Sequence, residues 1–173
     1  MRHAAAVGRS SAGNELTREA GIVIDRITGG AQVDETMQTS IPGIFACGNV
    51  LHVHDLVDFV TKEAYRAGAS AAAYVTGDAA PVGETLSTEG KNGVRYVMPQ
   101  KLNAQGNLST DTTLFFRVDN IYRDKFVTLS VDGAEVIRQK KRFLEPGQME
   151  TVRLTDAAIE AIRGGKTVTV ALA

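Results

Sequence analysis

Two histidines and an aspartate lie close together at His52, His54 and Asp55, a set of residues that can bind a metal ion or transfer a proton. Alternate residues of an extended loop point to the same side, and imidazole with carboxylate suits zinc or iron. Histidine also titrates near neutral pH, so His52 or His54 could donate a proton to a substrate. The alternative is a structural loop in which one histidine is hydrogen-bonded to the backbone. The sequence favours the interpretations without a metal, and no metal site is predicted.

The segment before these histidines has the pattern of a ligand-binding turn. An exposed turn at Ile41-Pro42-Gly43 precedes a short apolar strand over Ile44 to Cys47, which we expect to be buried on both faces. Gly48 follows this strand and begins a loop that leads to a helix. A glycine lets a ligand approach the backbone, and a helix N-terminus offers unpaired N–H groups to a carbonyl or an anion. The pattern therefore predicts a binding site at the carboxyl end of a strand.

The elements around this turn are predicted to be short strands followed by one long helix. A short helix over Asn14 to Ala20 precedes strands at 21–25, 31–34 and 44–47, with a turn at 28–30. The long helix runs from about Leu56 to Val75, with Asp55 or a neighbour as N-cap and Gly77 after its end. Apolar and small residues at helical spacing predict the face that packs on a sheet, namely Val57, Val60, Ala64, Ala67, Ala71 and Tyr74.

Residues 94–173 are predicted to form an all-β domain. The candidate strands are 94–98, 113–118, 126–131, 134–140, 150–154 and 167–172. Asp132-Gly133 predicts a tight hairpin, and Thr155 predicts the N-cap of a short helix. Six short strands and one helix indicate a β-sandwich of immunoglobulin-like architecture, without the disulfide and tryptophan of antibody domains.

The predicted fold class is α+β, with residues 1–80 and 94–173 as two domains. Residues 81–93 are rich in glycine, proline and polar residues, which predicts a linker. The basic run at 138–142 is expected to be solvated on an edge strand. Phe115, Phe116, Phe126 and Phe143 are expected in the sandwich core.

The composition indicates a folded protein and excludes several classes. The 173 residues carry 19 Lys and Arg against 20 Asp and Glu, a net charge of −1 that argues against general nucleic-acid binding. No apolar run reaches the roughly 18 to 20 residues of a membrane span, so we expect a cytoplasmic protein without membrane association. The single cysteine, Cys47, excludes an intrachain disulfide and a zinc–thiolate cluster, and its apolar surroundings predict packing without a redox role.

Thr39 to Asn49 resembles the second flavin signature, T-x-x-P-G-I-[FY]-A-x-G-D, of the flavoprotein pyridine nucleotide-disulfide oxidoreductases. This family includes thioredoxin reductase and glutathione reductase. Upstream, Val7 to Ser10 and Asn14 to Leu16 resemble the V-G-R-x-P-N segment at which the family's chain returns to the flavin domain. Downstream, Thr61 to Ala73 resembles the long helix whose N-terminus faces the isoalloxazine ring. The resemblance covers about Val7 to Val75, so the first domain is expected to be an incomplete FAD-binding domain, a short β-meander plus a long helix.

The resemblance implies contacts to FAD at Gly48, Asn49, Val50, Val60 and Thr61. The family has aspartate at the position of Asn49, where it binds a ribityl hydroxyl; the carboxamide oxygen can accept that bond without its charge-assisted part. Backbone N–H groups around Val60 and Thr61 match the family's contact to the pyrimidine edge of the flavin. The catalytic residues are unknown, but His52 and His54 are candidates because they follow the flavin motif.

The activity implied by the resemblance is that of an FAD-dependent, NAD(P)-linked oxidoreductase, in which hydride passes from the nicotinamide through the flavin to an acceptor. No G-x-G-x-x-G motif and no pair of redox-active cysteines occur in the chain. We therefore expect a C-terminal fragment of a longer flavoprotein that is inactive alone and does not retain FAD. Its expected partner is the remainder of the flavoprotein. Either this chain has been cut from that longer protein, or the remainder is a separate subunit.

A second hypothesis makes the β-sandwich a non-catalytic assembly or protein-binding module of a flavoprotein complex. It would hold a redox partner subunit or cover the substrate cleft. Without neighbouring strands, the flavin segment should expose Ile44, Phe45 and the long helix. We therefore expect this segment to be partly disordered or buried by self-association into a homo-oligomer.

Overall fold

The helices and strands of the chain are taken from a computed structural model, which describes residues 14–80, 83–106 and 108–173. The helices in these ranges are α1 (Asn14–Glu19), α2 (Val57–Thr76) and α3 (Asp156–Gly164), and a 3-10 turn covers Gly48–Val50. The strands are β1 (Thr85–Lys91), β2 (Val94–Met98), β3 (Lys101–Asn103), β4 (Thr113–Val118), β5 (Tyr122–Val131), β6 (Ala134–Leu144), β7 (Glu150–Arg153) and β8 (Thr167–Leu172). The predicted α+β class is confirmed. The expectation for Val7 to Ser10 lies outside the described residues.

The strands form two sheets that share one apolar core. The larger sheet has the order β3-β1-β8-β5-β6, and the smaller one has the order β2-β4-β7. Side chains of both sheets and of α3 meet between them, including Leu114, Phe116, Leu129, Leu144 and Ile162. The immunoglobulin-like sandwich is not confirmed: the sheets of that architecture are antiparallel, whereas β1 and β8 pair in parallel.

Strands β1 and β3 lie outside the predicted set. β1 occupies most of the predicted linker, where Leu86 is its one large apolar side chain and is almost fully buried. Its polar composition resembles a linker, and only its pairing with β3 and β8 makes it a strand. The other six strands are confirmed, with β5 and β6 longer than predicted. The division into domains stays a prediction.

The side chains on the sheet surfaces differ in part from the prediction. Phe116 lies in the core, but Phe115 projects from the opposite face of β4 and contacts His52 and His54 instead. The guanidinium of Arg138 lies over the half-buried Phe126 ring, and the guanidinium of Arg123 lies over the exposed Phe143 ring. The basic run is not entirely solvated, because the Lys141 ammonium lies 2.7 Å from the buried Glu150 carboxylate.

Local turn chemistry explains the predicted hairpin between β5 and β6. Asp132 and Gly133 have φ values of 48° and 89°, as a type I′ turn requires. The Asp132 carboxylate also accepts hydrogen bonds from the backbone N–H groups of Lys166 and Thr167. The turn residue therefore connects the hairpin to the start of β8.

Residues 22–47 form a series of turns in place of the predicted β-meander. They make isolated antiparallel bridges at Ile24–Ala31, Val33–Thr39 and Gln38–Phe45. The predicted turn at 28–30 is confirmed, and a second turn follows in which the Asp34 carboxylate accepts from the N–H groups of Thr36 and Gln38. The turns follow one another so closely that no run is long enough for a ladder. Burial of residues 44–47 on both faces is wrong: Ile44 is 39 % exposed, and none of the strands in the described ranges flanks this run.

A second apolar core joins these turns to the β-sheets. It consists of Ile22, Ala31, Val33, Met37, Leu51, Ala67 and, from β2, Met98. The Val33 N–H donates to Gln100 Oε1 at 3.1 Å, and the Lys101 N–H donates to the Val33 carbonyl at 3.2 Å. The expected exposure of the first segment is therefore confined to part of its surface.

Helix α2 has the predicted ends but not the predicted cap or face. Gly77 follows it with a left-handed φ of 82°. The N-cap is Leu56, with no side-chain hydrogen bond, so Asp55 is not the cap. Val57 and Ala64 are exposed, whereas Glu63 and, as predicted, Ala67 are buried. The helix packs mainly on the loop before it, and its Phe59 also contacts Phe115 of β4. Across the described ranges, no helix is long and apolar enough to cross a membrane.

Candidate functional site

The glycine turn and the start of α2 meet at the predicted cofactor-binding residues. Gly48 has a φ of 76°, and a Cβ atom added to it would lie 3.3 Å from Val60 Cγ1. The positive φ and the close approach both favour glycine. Val60 is half-buried and Thr61 is exposed, and both line a shallow concave surface with Ala64 and Tyr65. The structure thus brings two of the predicted contact segments together.

Asn49 and Val50 have different environments within the 3-10 turn. Asn49 is exposed, and its Oδ1 atom accepts a hydrogen bond of 3.1 Å from the His54 N–H. Val50 is half-buried and packs against the second core. The Asn49 side chain therefore holds the histidine loop in place and is itself exposed to solvent.

His52 and His54 converge with Glu63 from α2 in a buried cluster. His52 Nε2 lies 3.1 Å from Glu63 Oε1, and His54 Nε2 lies 3.0 Å from Glu63 Oε2. The side chains of the three residues are between 1 % and 3 % exposed. The Gly48 N–H donates to Glu63 Oε2 at 2.8 Å. Glu63 therefore links the histidine loop to the glycine turn.

Glu63 is ionised and His52 is neutral at neutral pH. Burial raises the pKa of Glu63, but the His52 and His54 side chains and the Gly48 N–H outweigh it and hold the pKa at about 2. Burial lowers the pKa of His52 despite the carboxylate beside it. Because an ionised carboxylate only accepts, His52 Nε2 carries the hydrogen and its Nδ1 faces the Tyr96 hydroxyl at 3.4 Å.

The loop carrying both histidines is anchored by Asp55 and Arg117. The Arg117 guanidinium donates to Asp55 Oδ1 and, at 2.9 Å, to the Val53 carbonyl. Asp55 Oδ2 accepts from the Met149 N–H. Phe115 packs against the rings of both histidines at centroid distances of 5.9 Å. The outer face of the smaller sheet thus supports the site.

Cys47 next to the glycine turn has the character of an unreactive thiol. It is half-buried, and burial together with the nearby Glu63 carboxylate raises its pKa. The nucleophilic thiolate form is therefore disfavoured. This agrees with the prediction that Cys47 packs without a redox role.

Sequence reasoning identified the two histidines but missed Glu63, Tyr96 and Phe115. Glu63 has a detectable signal, since it is a charged residue three positions after Val60 and four before Ala67, on the apolar side of α2. Tyr96 and Phe115 have none, because they belong to strands that approach the loop only in the folded chain. Asp55, grouped with the histidines from the sequence, is turned away toward Arg117.

A comparison with models of protein families gives a match for the first part of the chain. Residues 3–72 match the family model described as Pyridine nucleotide-disulphide oxidoreductase. The first part of the chain is thus similar to that family of oxidoreductases, in agreement with the resemblance at Thr39 to Asn49. The match ends within α2. A search of curated proteins and a search of solved structures each returned no match.

Proposed function

We propose that the chain is the C-terminal part of an FAD-dependent, NAD(P)-linked oxidoreductase and contributes contacts to the ribityl and isoalloxazine parts of FAD. The family match over residues 3–72 carries this proposal. When bound, FAD supplies two-electron transfer between a nicotinamide and an acceptor. The chain alone lacks a phosphate-binding glycine motif, so it is inactive and does not retain the cofactor.

The residues around the glycine turn fit a flavin on three grounds. Gly48 lets the turn lie close against Val60 at the start of α2, because a Cβ atom there would be 3.3 Å from Val60 Cγ1. No side chain caps α2, so the N–H groups of Val57 and Asp58 in its first turn remain available to a carbonyl or an anion, whereas the Phe59 N–H donates to the Leu56 carbonyl at 3.2 Å. Asn49 is exposed at the same edge and can accept a ribityl hydroxyl with its second lone pair.

Two of the predicted contacts are limited by bonds within the chain. The Gly48 N–H is engaged by Glu63, so Gly48 contributes shape and not a donor. The Thr61 hydroxyl donates to the Val57 carbonyl at 3.0 Å. Its backbone N–H follows the first four of the helix, the ones without an intrahelical acceptor, so Thr61 offers no free donor. Asn49 and the first turn of α2 are therefore the main proposed contacts.

The remainder of the flavoprotein is the proposed partner. Apolar side chains on and before α2 support this, since Leu56, Val57, Tyr65 and Val75 are between 57 % and 85 % exposed. Several exposed apolar side chains next to a proposed cofactor surface are typical of a protein–protein interface. The alternative, an assembly module formed by the β-sheets, makes no use of this surface.

FAD binding is tested by calorimetry on this chain and on a longer chain that includes upstream dinucleotide-binding sequence. We expect binding and flavin absorbance with the longer chain only. Asn49→Asp in the longer chain should tighten FAD binding about fivefold, because a charge-assisted hydrogen bond replaces a neutral one.

Asn120→Asp, at an exposed position distant in sequence from the turn, is the matched control and should leave the affinity unchanged. Absence of FAD binding in both chains would refute the proposal. Equal effects of the two aspartate variants would remove Asn49 from the contact set.

A further inference from the structure

The cluster of His52, His54 and Glu63 has the donor set of a metal site. Its ligand atoms all lie within 4.8 Å of one another. Two donors bound to one metal ion at about 2.1 Å, with an angle near 90 to 110° between them, are roughly 3.0 to 3.4 Å apart. The nitrogen–oxygen distances of 3.1 and 3.0 Å, measured to the two different oxygens of Glu63, lie in this range, and any wider separation within the 4.8 Å limit must shorten when an ion binds.

The imidazole of His54 lacks the partners that a buried ring normally has. Its side chain is 1 % exposed, and neither ring nitrogen makes a hydrogen bond within the described part of the chain. Its Nε2 atom lies near Glu63 Oε2 without the direction of a hydrogen bond. Phe59 and Phe115 occupy other sides of the ring. A buried nitrogen without a hydrogen bond costs free energy, and a cation bound at Nε2 would give that nitrogen a partner.

The groups around the cluster are those that orient metal ligands. A histidine that binds a metal through one nitrogen usually donates its other N–H to a nearby acceptor. A metal ion at His52 Nε2 would displace the hydrogen that faces Glu63 in the metal-free chain, and the hydrogen would then lie on Nδ1, 3.4 Å from the Tyr96 hydroxyl as acceptor. The carboxylate of Glu63 is oriented by the Gly48 N–H. Both supports come from residues outside the donor set.

We propose that His52, His54 and Glu63 bind one divalent transition-metal ion, with two imidazoles and one carboxylate as ligands. This donor set occurs in zinc sites and in non-haem iron(II) sites, both of which leave further positions open. The proposal does not depend on FAD binding, since none of the three side chains is among the proposed flavin contacts. It replaces the structural interpretation of the histidines that the sequence favours, because Glu63 supplies the missing third ligand.

The test is metal binding by the full chain without an affinity tag. The protein is treated with a chelator, dialysed and titrated with Zn²⁺ by calorimetry, and then with Co²⁺ while the visible absorption is recorded. We expect one ion per chain and cobalt bands typical of nitrogen and oxygen ligands. Metal analysis of the purified protein then distinguishes zinc from iron as the resident ion.

Two variants remove ligands with little change of volume. His54→Phe keeps an aromatic ring against Phe59 and Phe115 and loses no hydrogen bond, and Glu63→Gln keeps the shape of the side chain. Each variant should weaken Zn²⁺ binding by at least about 100-fold, because losing a ligand costs more affinity than losing a residue that only orients a ligand. Asp58→Asn, on the exposed first turn of the same helix, should bind Zn²⁺ as the unchanged chain does.

The proposal fails if the unchanged chain binds no Zn²⁺, or if folded His54→Phe binds it equally well. Circular dichroism establishes folding of each variant. If both ligand variants unfold, proton NMR of the Co²⁺-loaded unchanged chain decides the matter. Strongly shifted imidazole N–H signals from two histidines support the site, and their absence overturns it.

Discussion

Glu35 is a buried carboxylic acid at the contact between the turns of residues 22–47 and the loop after β3. Its side chain oxygen Oε2 accepts a hydrogen bond of 2.8 Å from the Asn103 N–H, and the residue is 3 % exposed. Burial raises its pKa from 4.5 to about 7, although the Asn103 N–H acts in the opposite direction. Folding therefore favours the protonated form of this residue.

The raised pKa of Glu35 predicts a pH-dependent contribution to stability. The contribution is full below about pH 4.5 and is lost as the pH rises to about 7, because the unfolded chain then releases a proton that the folded chain retains. The loss amounts to about 3 kcal/mol in the free energy of unfolding. His52 acts in the opposite direction, since its lowered pKa favours folding as the pH rises.

The contribution of Glu35 is isolated by comparing the unchanged chain with Glu35→Gln in urea unfolding at pH 5 and pH 8. The difference between the two chains should shift by up to about 3 kcal/mol in favour of the variant at the higher pH. The same difference at both values would show that Glu35 does not titrate as its burial predicts.

The branched guanidinium of Arg117 connects three segments by hydrogen bonds. From β4 it reaches Asp55 and Val53 in the histidine loop and the carbonyls of Pro146 and Gly147 in the turn before β7. A lysine ammonium is a single point and cannot reproduce several divergent bonds. Arg117 therefore bonds the loop, the strand and the turn together, in addition to the hydrogen bond from the Met149 N–H to Asp55.

Arg117→Lys should lower the free energy of unfolding by about 1 to 2 kcal/mol, because one or two hydrogen bonds to charged groups are lost. Urea denaturation measures the change. The matched control is Arg95→Lys on the exposed side of β2, which should change stability by less than about 0.5 kcal/mol. Equal stabilities of the two lysine variants would show that the fork of Arg117 contributes nothing beyond its charge.

The elements differ in how much of their structure is local. The β5–β6 hairpin follows from Asp132-Gly133, and α3 follows from Thr155, whose hydroxyl accepts from the Ala158 N–H at 3.2 Å. These signals lie within a few residues of the structure that they specify, so the sequence predicts them. β1 has no such signal, because its strand conformation depends on partners in β3 and β8.

At the scale of the whole molecule, Met98 joins the two apolar cores. It belongs to β2 by its backbone but is fully buried among the side chains of residues 22–67. The turns of the first segment thus rest on the smaller sheet. Whether the segment is partly disordered, or self-associates through the exposed residues of α2, stays a prediction.

Met98→Ala should accelerate amide hydrogen exchange in residues 31–39 more than in the β5–β6 hairpin. Truncating a buried methionine costs about 2 to 5 kcal/mol, and the cavity would form in the second core. Ile137→Ala, in the first core, should have the opposite pattern. Exchange measured by mass spectrometry on both variants checks this, and rapid exchange of residues 31–39 in the unchanged chain would contradict the packing described.

The sequence by itself determined the features that depend on near neighbours along the chain. It contains the flavin signature at Thr39 to Asn49, the extent of α2 with Gly77 after it, and six of the strands. Each of these depends on backbone preferences or a motif within a short stretch, so one sequence suffices to predict it.

Only the tertiary structure decided which side chains meet. Glu63 joins His52 and His54 because α2 folds back over the loop that precedes it. Tyr96 and Phe115 reach the same place from β2 and β4, whose register is set by pairing and by the shared core. Contacts of this kind depend on the packing of distant segments, and periodicity along the chain carries no information about them.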